Sequence, residues 1–330
     1  MREDRRQVAG IGSALMDILI REPDEFLADT PAEKGGMIYV SAGEIERVTA
    51  AASAPPVIVP GGAACNTIIG VARLGGEALF VGKRGLDEFG ASFAAHLEKS
   101  GVIPSLFSSA SPTGRVLSII TPDAQRSMLT CLGASAELDP ETVTSSLFAR
   151  AAVVLVEGYL IFNQALCKAA LKAAKAAGAA IALDLAAYTV VTEFRDTLKS
   201  LVAEYVDILI ANEDEAAAFT GISREEDALA EMGKRADLAV VKMGGRGSLL
   251  LGKDSPPVRV AAMPDVPVVD TTGAGDLWAA GFLHSLARGK SLEEAGKLGS
   301  LCGAEACRRM GAGIPPEGWE RIAAGAADLI

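Results

Sequence analysis

The feature with the clearest chemical meaning in the 330-residue sequence is a glycine-rich segment, DTTGAGDLWAAGFL at 270–283. Valines within 266–269 predict a strand before it, and the apolar residues after it predict a helix. The backbone N–H groups of Gly273, Ala274 and Gly275 would then lie free at a helix N-terminus, where the helix dipole favours an anion. The segment therefore predicts a site for an anionic group.

Asp276 adds a carboxylate to the first turn of that helix. A negative charge beside an anion site is unhelpful for binding alone. It suits a base that takes a proton from a hydroxyl while the hydroxyl oxygen attacks a phosphoryl group. A glycine-rich helix start, with an Asp that only balances the helix dipole, explains the same residues. The residues alone leave both interpretations open.

A second glycine pair lies in PGGAACN at 60–66, between an apolar strand at 57–59 and a predicted helix. Gly61 and Gly62 permit close approach of the backbone to a ligand. Asn66 offers both a donor and an acceptor, as a polyhydroxyl ligand requires. A tight turn followed by a helix-capping Asn is the alternative.

The elements that must position these groups follow a regular alternation from residue 151 onward. Short apolar runs at 151–156, 180–185 and 206–212 are separated by amphipathic stretches. This alternation is typical of βαβ units, in which helices cover both faces of a parallel sheet. We therefore expect an α/β fold.

Two regions interrupt the alternation and predict a small second sheet. One contains MIYV at 37–40, and the other, at 113–132, has two β-rich runs around a PDAQ turn at 122–125. Open parallel sheets bind ligands at the carboxyl ends of their strands, so a small sheet there would act as a lid. Asp17 directly follows the first predicted strand, either as a ligand contact or as an ordinary turn residue.

Composition narrows the classes of function. The net charge of −11 disfavours binding to nucleic acid or to anionic membrane surfaces. No apolar run reaches the roughly 18 residues that a membrane span needs. The five cysteines contain no C-x-x-C pair, and there are only two histidines, so neither a disulfide framework nor a zinc site is expected. We expect a cytoplasmic protein without nucleic-acid or membrane partners.

Together these segments resemble the ribokinase-like (phosphofructokinase-B) family of carbohydrate and nucleoside kinases. Five motifs occur in the family's order: GGAACN at 61–66, VGKRGLDEFG at 81–90, NEDE at 212–215, KMGGRG at 242–247 and DTTGAGD at 270–276. The resemblance implies a three-layer α/β/α fold with a doubly wound, mainly parallel sheet and a small β lid. The implied large domain comprises 1–12, 61–112 and 133–330, and the implied lid 13–60 and 113–132.

The resemblance also implies residue roles. Asp276 would be the base, and the amides of Gly273, Ala274 and Gly275 would neutralise charge on the transferred phosphoryl group. Arg126 would meet the phosphates when the lid closes. The implied acceptor-binding set is Ser13, Asp17, Gly61, Gly62 and Asn66, with Ser13 standing where the family usually has Asn.

ATP and Mg²⁺ are the implied cofactors. Asn212 and Glu215 would organise Mg²⁺ through water, because Mg²⁺ keeps part of its hydration shell. The implied ATP-binding set is completed by Lys242, Gly244, Gly247 and Thr272, with Lys242 replacing a usual Thr. Asp270 and the Thr272 carbonyl would form a monovalent-cation site for K⁺.

The adenosine kinases of the family are the most similar in EGYLIF at 157–162, LDLAAYTVV at 183–191 and RSMLTCLGAS at 126–135. Tyr159 and Tyr188 are then candidates for stacking on a purine, with buried core tyrosines as the alternative. The expected reaction is phosphorylation of adenosine to AMP by a monomer or homodimer. A kinase for fructose, ribose or a keto-deoxy sugar acid is one alternative, and a catalytically silent nucleoside- or sugar-binding module is another.

Overall fold

The strands form one nine-stranded and one five-stranded sheet in the computed structural model, which describes residues 5–123 and 125–327. In chain order the strands are β1 (Gln7–Ile11), β2 (Leu15–Arg21), β3 (Met37–Tyr39), β4 (Val57–Gly61), β5 (Ala78–Gly85), β6 (Val102–Ser109), β7 (Gly114–Ile120), β8 (Arg126–Cys131), β9 (Ala151–Glu157), β10 (Ala180–Asp184), β11 (Ile208–Asn212), β12 (Leu238–Lys242), β13 (Ser248–Gly252) and β14 (Val258–Val260).

Eleven α-helices are described. They are α1 (Asp24–Ala28), α2 (Ala42–Ala50), α3 (Ala63–Arg73), α4 (Glu88–Lys99), α5 (Gln164–Ala177), α6 (Tyr188–Tyr205), α7 (Glu213–Thr220), α8 (Glu225–Met232), α9 (Ala274–Leu286), α10 (Leu292–Ala306) and α11 (Pro316–Ala327). None of these helices is long and apolar enough to cross a membrane.

The large sheet has the order β14-β13-β12-β11-β10-β9-β1-β5-β6. Its seven strands from β12 to β6 are parallel, and β13 and β14 are antiparallel additions at one edge. Strand β9 is buried along its whole length. Val153 and Leu155 pack with α3, α9 and α10, whereas Val154 and Val156 pack with α5 and α6 on the other face. The alternation of side chains along a strand thus produces the expected three layers.

The small sheet has the order β3-β8-β7-β2-β4 and carries α2 on one face. Ile18 and Ile20 of β2 pack with Ile45 and Val48 of α2. Asp17 stands between such residues and so points to the other face. The prediction that Asp17 lies in a turn after the first strand is therefore wrong, because β2 pairs with β4 and β7 across this position.

The predicted strand before the glycine-rich segment is also wrong. Residues 261–270 contain no strand, and the last strand ends at Val260. Pro264 and Pro267 cannot donate to a sheet, which explains why the chain leaves it there. Val268 is 66% exposed instead of lying in a core. The predicted PDAQ turn includes position 124, which lies outside the described residues.

Candidate functional site

Four polar residues end adjacent parallel strands of the large sheet. Glu157 ends β9, Asp184 ends β10, Asn212 ends β11 and Lys242 ends β12. Glu157 pairs in register with Asp184, and Asn212 with Lys242, so their side chains emerge at one edge of the sheet. This is the edge at which open α/β sheets bind ligands.

The glycine-rich segment leads into α9 over this edge. Gly273 has φ of 72° and precedes α9, and a Cβ there would collide with Ala312. The amides of Gly273 and Gly275 donate to no other group within the described part of the chain. The Ala274 N–H, however, donates to the Thr271 carbonyl at 3.1 Å. The prediction of three free amides is therefore wrong at Ala274, because the turn into α9 uses that donor.

Asp276 lies in the first turn of α9 and lines the cavity described below. Its Oδ2 accepts a hydrogen bond from Asn66 Nδ2 at 2.9 Å, and its backbone carbonyl accepts one from the Thr67 hydroxyl at 3.0 Å. Removal from bulk water raises the pKa of Asp276 to about 6, against the hydrogen bond from Asn66. The structure thus joins the two glycine-rich motifs at one carboxylate.

Asp17 faces the same site from the small sheet. A Cβ on Gly61 would collide with the Asp17 carboxylate, so only glycine fits there. Burial raises the pKa of Asp17 to about 6; the positive charge of Arg126 opposes this shift and the Asp276 carboxylate adds to it. Ser13 and Asn66 are buried close by, at 8% and 9% exposure.

Lys242 and Asp184 form an ion pair, with Lys242 Nζ 2.8 Å from Asp184 Oδ2. Their side chains are only 14% and 15% exposed. Burial opposes the ammonium charge, but the carboxylates of Asp184 and Glu215 outweigh it and raise the pKa of Lys242. A Cβ on Gly275 would lie 3.2 Å from Lys242 Nζ, which places the ammonium beside the start of α9.

Asn212 and Glu215 hold each other at the start of α7. The Glu215 N–H donates to Asn212 Oδ1 at 2.8 Å, and the Glu215 carboxylate accepts from the Asn212 backbone and side-chain amides, each at 2.8 Å. Burial raises the pKa of Glu215 to about 7. Within 5–123 and 125–327 no three His, Cys, Asp or Glu residues cluster as a metal site. The oxygens of Asn212 and Glu215 already accept hydrogen bonds within this pair, so a Mg²⁺ ion held near them through water stays a prediction.

Arg126 opens β8 of the small sheet and reaches the large domain, where its guanidinium donates to the Thr272 hydroxyl. Asp270 Oδ1 accepts from the amide and hydroxyl of Thr272 at 3.0 and 2.7 Å, and Asp270 Oδ2 accepts from the Gly311 N–H at 2.8 Å. Although burial opposes it, these hydrogen bonds lower the pKa of Asp270. A K⁺ ion at Asp270 would share oxygens that already bind these donors, so K⁺ binding stays a prediction.

A cavity of about 470 Å³ lies at these strand ends, beside the start of α9. Its wall includes Asp184, Lys242 and Asp276, together with Gly244 and Gly247 of the KMGGRG motif. That volume is within the usual range of about 300–1,000 Å³ for a small-molecule site. Gly247 has φ of 88°, and a Cβ there would collide with the Val260 carbonyl, so the loop beside the cavity needs glycine.

The two tyrosines predicted to stack on a purine are not part of that cavity wall. Tyr188 is 58% exposed at the start of α6, and Tyr159 is half-buried against the core of the large domain. The structure instead forms an aromatic cluster of Tyr39, Phe162 and Phe194. Phe162 makes edge contacts with Tyr39 and Phe194, with ring centroids 5.9 and 5.3 Å apart.

This aromatic cluster was not predicted. Tyr39 comes from β3 of the small sheet, whereas Phe162 follows β9 and Phe194 lies in α6 of the large domain. Glu157 was missed as well, although it begins the EGYLIF segment. Both features arise from packing between residues that are far apart in the sequence, and no local spacing of residues predicts such packing. A charged residue at the end of an otherwise apolar strand was the only available signal for Glu157.

The raised pKa values of Asp17 and Asp276 predict that activity depends on pH. The pKa values of Asp17 and Asp276 are raised to about 6, so an ionised base requires a pH above that value. We expect kcat/KM to rise about tenfold or more between pH 5 and 7.

Thermal stability of the ligand-free protein should fall as the pH rises from 5 to 7. A carboxyl whose pKa is higher in the folded protein stabilises it fully below the unfolded pKa of about 4, and that contribution is lost as pH rises through 6. A pH–rate profile and melting curves at the same pH values test both slopes. An activity that rises on acidification below pH 6 would contradict an Asp base.

Residues 38–318 match the profile described as pfkB family carbohydrate kinase. Fructokinase-1 of Oryza sativa subsp. japonica is 32% identical over 283 residues, which cover 79% of this chain and 86% of that protein.

Two solved structures are similar over nearly the whole chain. A probable sugar kinase from Rhizobium etli has a TM-score of 0.90 and 34% identity, covering 99% of this chain and 100% of its own. The adenosine kinase from Sinorhizobium meliloti has a TM-score of 0.88 and 35% identity, covering 98% and 99%.

Proposed function

The chain belongs to the pfkB family of carbohydrate kinases, as its motifs predicted, and is a phosphotransferase; from that premise we propose that it transfers the γ-phosphoryl group of ATP to a hydroxyl of adenosine. The observation that carries this proposal is the position of Asp276. One carboxylate stands at the start of α9, beside the free Gly275 amide, and is oriented by Asn66. A base for the acceptor and donors for the phosphoryl group thus adjoin each other.

The proposed chemistry follows from these contacts. Asp276 accepts the proton of the attacking hydroxyl, while Asp17 and Asn66 hold neighbouring hydroxyls of the acceptor. The amides of Gly273 and Gly275 and the Lys242 ammonium neutralise charge on the phosphoryl oxygens. Mg²⁺, held through water near Asn212 and Glu215, supplies further charge neutralisation when bound. Arg126, on the proposed lid, contacts the phosphates from the other side.

A nucleoside acceptor is favoured by the aromatic cluster. Phe162 and Tyr39 are 40% and 46% exposed, so they offer free aromatic surface between the small sheet and the large domain. Burial raises the pKa of Tyr39, and the carboxylates of Glu193 and Glu157 add to the rise, which is consistent with a place near the end of β9. A purine base gains from such surface, whereas a free sugar presents mostly hydroxyls.

A sugar acceptor is the second candidate, and the likeness to a fructokinase and a probable sugar kinase favours it. An ADP-release assay with adenosine, other nucleosides, fructose, ribose and a keto-deoxy sugar acid separates the two. We expect adenosine to have the highest kcat/KM. Faster turnover of a free sugar would make that sugar, and not adenosine, the proposed acceptor. Binding of an acceptor without ADP release would favour the silent binding module.

Phe162→Ala tests the purine contact directly. Loss of stacking should raise the KM for adenosine about tenfold, since a base–aromatic stack contributes about 1–3 kcal/mol. The KM for ATP should not change. Ile103→Ala, at a 49% exposed apolar residue on the edge strand β6, is the matched control. An unchanged adenosine KM in Phe162→Ala would remove the aromatic argument for a nucleoside.

A further inference from the structure

The chain passes between the large domain and the small sheet at four places, and two of these connections lie next to each other. Residues 12–14 lead from β1 into β2, and Gly62 leads from β4 into α3. Any movement of the small sheet relative to the large one must turn these segments. The first precedes Asp17 and the second begins the helix that carries Asn66, so their geometry also sets the spacing of two proposed acceptor contacts.

Glu157 lies against both segments. Its Oε2 accepts a hydrogen bond from the Ala64 N–H at 3.0 Å, and its Oε1 lies 3.5 Å from the Ser13 N–H. The residue is only 3% exposed. One carboxylate at the end of β9 therefore joins two chain segments that are far apart in sequence.

The two connections pack closely around Glu157. A Cβ on Gly12 would collide with Glu157 Oε2 and lie 2.8 Å from the Ala64 Cβ, and a Cβ on Gly62 would collide with the Ser13 carbonyl. Gly62 also has φ of 98°, which residues other than glycine rarely adopt. The two connections and the carboxylate are thus in direct mutual contact.

Glu157 has no role in the proposed transfer of a phosphoryl group. Burying its carboxylate nevertheless costs free energy. Burial raises the pKa of Glu157 to about 7. The hydrogen bonds from Ala64 and Ser13 oppose this rise, and the Asp276 charge adds to it. A neutral apolar side chain would avoid this cost. Such a group is retained at a cost when its acceptor oxygens hold something in place.

We propose that Glu157 is a positioning residue that ties two of the four connections of the small sheet together, at 12–14 and at Gly62, and thereby fixes the acceptor-binding geometry of Asp17 and Asn66. This inference rests on the proposed function for its kinetic consequence. Glu157 should then govern affinity for the acceptor more than the transfer step at saturation, because its hydrogen bonds go to Ala64 and Ser13 and not to Asp276, although both carboxylates line the same cavity.

Glu157→Gln tests this role with little change of shape. A glutamine keeps one acceptor oxygen but turns an NH₂ group toward the second amide, so one connection is released. We expect the KM for the acceptor to rise about tenfold, with kcat and the KM for ATP changed less than twofold. Gly12→Ala, which pushes a methyl group against the carboxylate, should produce the same split. The matched control is Glu305→Gln, since Glu305 is also buried, at 6% exposure, but pairs with Arg321.

Amide hydrogen exchange in the ligand-free protein gives a readout independent of activity. Peptides covering 12–14 and 62–66 should exchange at least about tenfold faster in Glu157→Gln, with α10 unchanged. If the wild type phosphorylates no acceptor, the proposed function fails while this measurement still tests the contact. Unchanged exchange at both segments, or a fall in kcat without a rise in acceptor KM, would overturn the role assigned to Glu157.

Discussion

Asp276→Asn should lower kcat for phosphoryl transfer by about 10²–10⁴, the usual contribution of a general base. The amide retains an oxygen that can accept the hydrogen bond from Asn66, so α3 and α9 should stay together. Removal of a carboxylate whose pKa burial raises also removes a desolvation cost, so thermal stability should be equal or higher at pH 8. The change therefore removes the base and keeps the fold.

Two measurements on Asp276→Asn separate catalysis from binding. Adenosine should still raise the melting temperature, as a ligand that binds only the folded state does. Single-turnover experiments should show that the defect lies in the chemical step. The matched control is Asp214→Asn, an exposed carboxylate on α7. Transfer within a factor of ten of the wild-type rate would mean that another group accepts the proton, and the mechanism proposed for this site would be wrong.

Lys242→Met is expected to have the second largest effect, on both rate and stability. The ammonium is the buried cation beside Gly275, so its loss should lower kcat by about 10²–10³, as for removal of a preorganised donor to a transition state. The substitution also leaves Asp184 without its ion-pair partner, at a place where the two side chains are only 14% and 15% exposed. Breaking such a pair typically costs about 3–5 kcal/mol of unfolding free energy.

The double variant Asp184→Asn with Lys242→Met distinguishes the two effects. Neutralising both partners should restore most of the unfolding free energy, because the carboxylate that forms the ion pair with Lys242 is no longer charged. The rate should stay low, since the cation for the phosphoryl group is still missing. Denaturant melts and kcat at saturating ATP provide the test. Lys253→Met, at an exposed ion pair with Asp237, is the control. Recovery of kcat in the double variant would show that Lys242 acts only through stability.

Much of the architecture could be predicted because it depends on local pattern. The apolar runs at 151–156, 180–185 and 206–212 became β9, β10 and β11, since fully buried parallel strands need nearly continuous apolar residues. Gly178 ends α5 in a left-handed conformation, with φ of 71°, which is the usual conformation of a glycine that terminates a helix. The irregular conformation of residues 261–270 was not predicted, because the valines in this segment match a strand pattern. Its prolines and its place beside the cavity keep it out of the sheet.

The kinase family could be predicted from five motifs in the family's order. The helix start at Asp276 and the two glycine-rich motifs could be predicted because each is a short segment whose residue types dictate its backbone. Which distant groups meet could be seen only in the folded chain. The hydrogen bond of Asn66 to Asp276, the pairing of Lys242 with Asp184 and the contacts of Glu157 each join different elements. Strand order and register bring those elements together, and these depend on the packing of the whole chain.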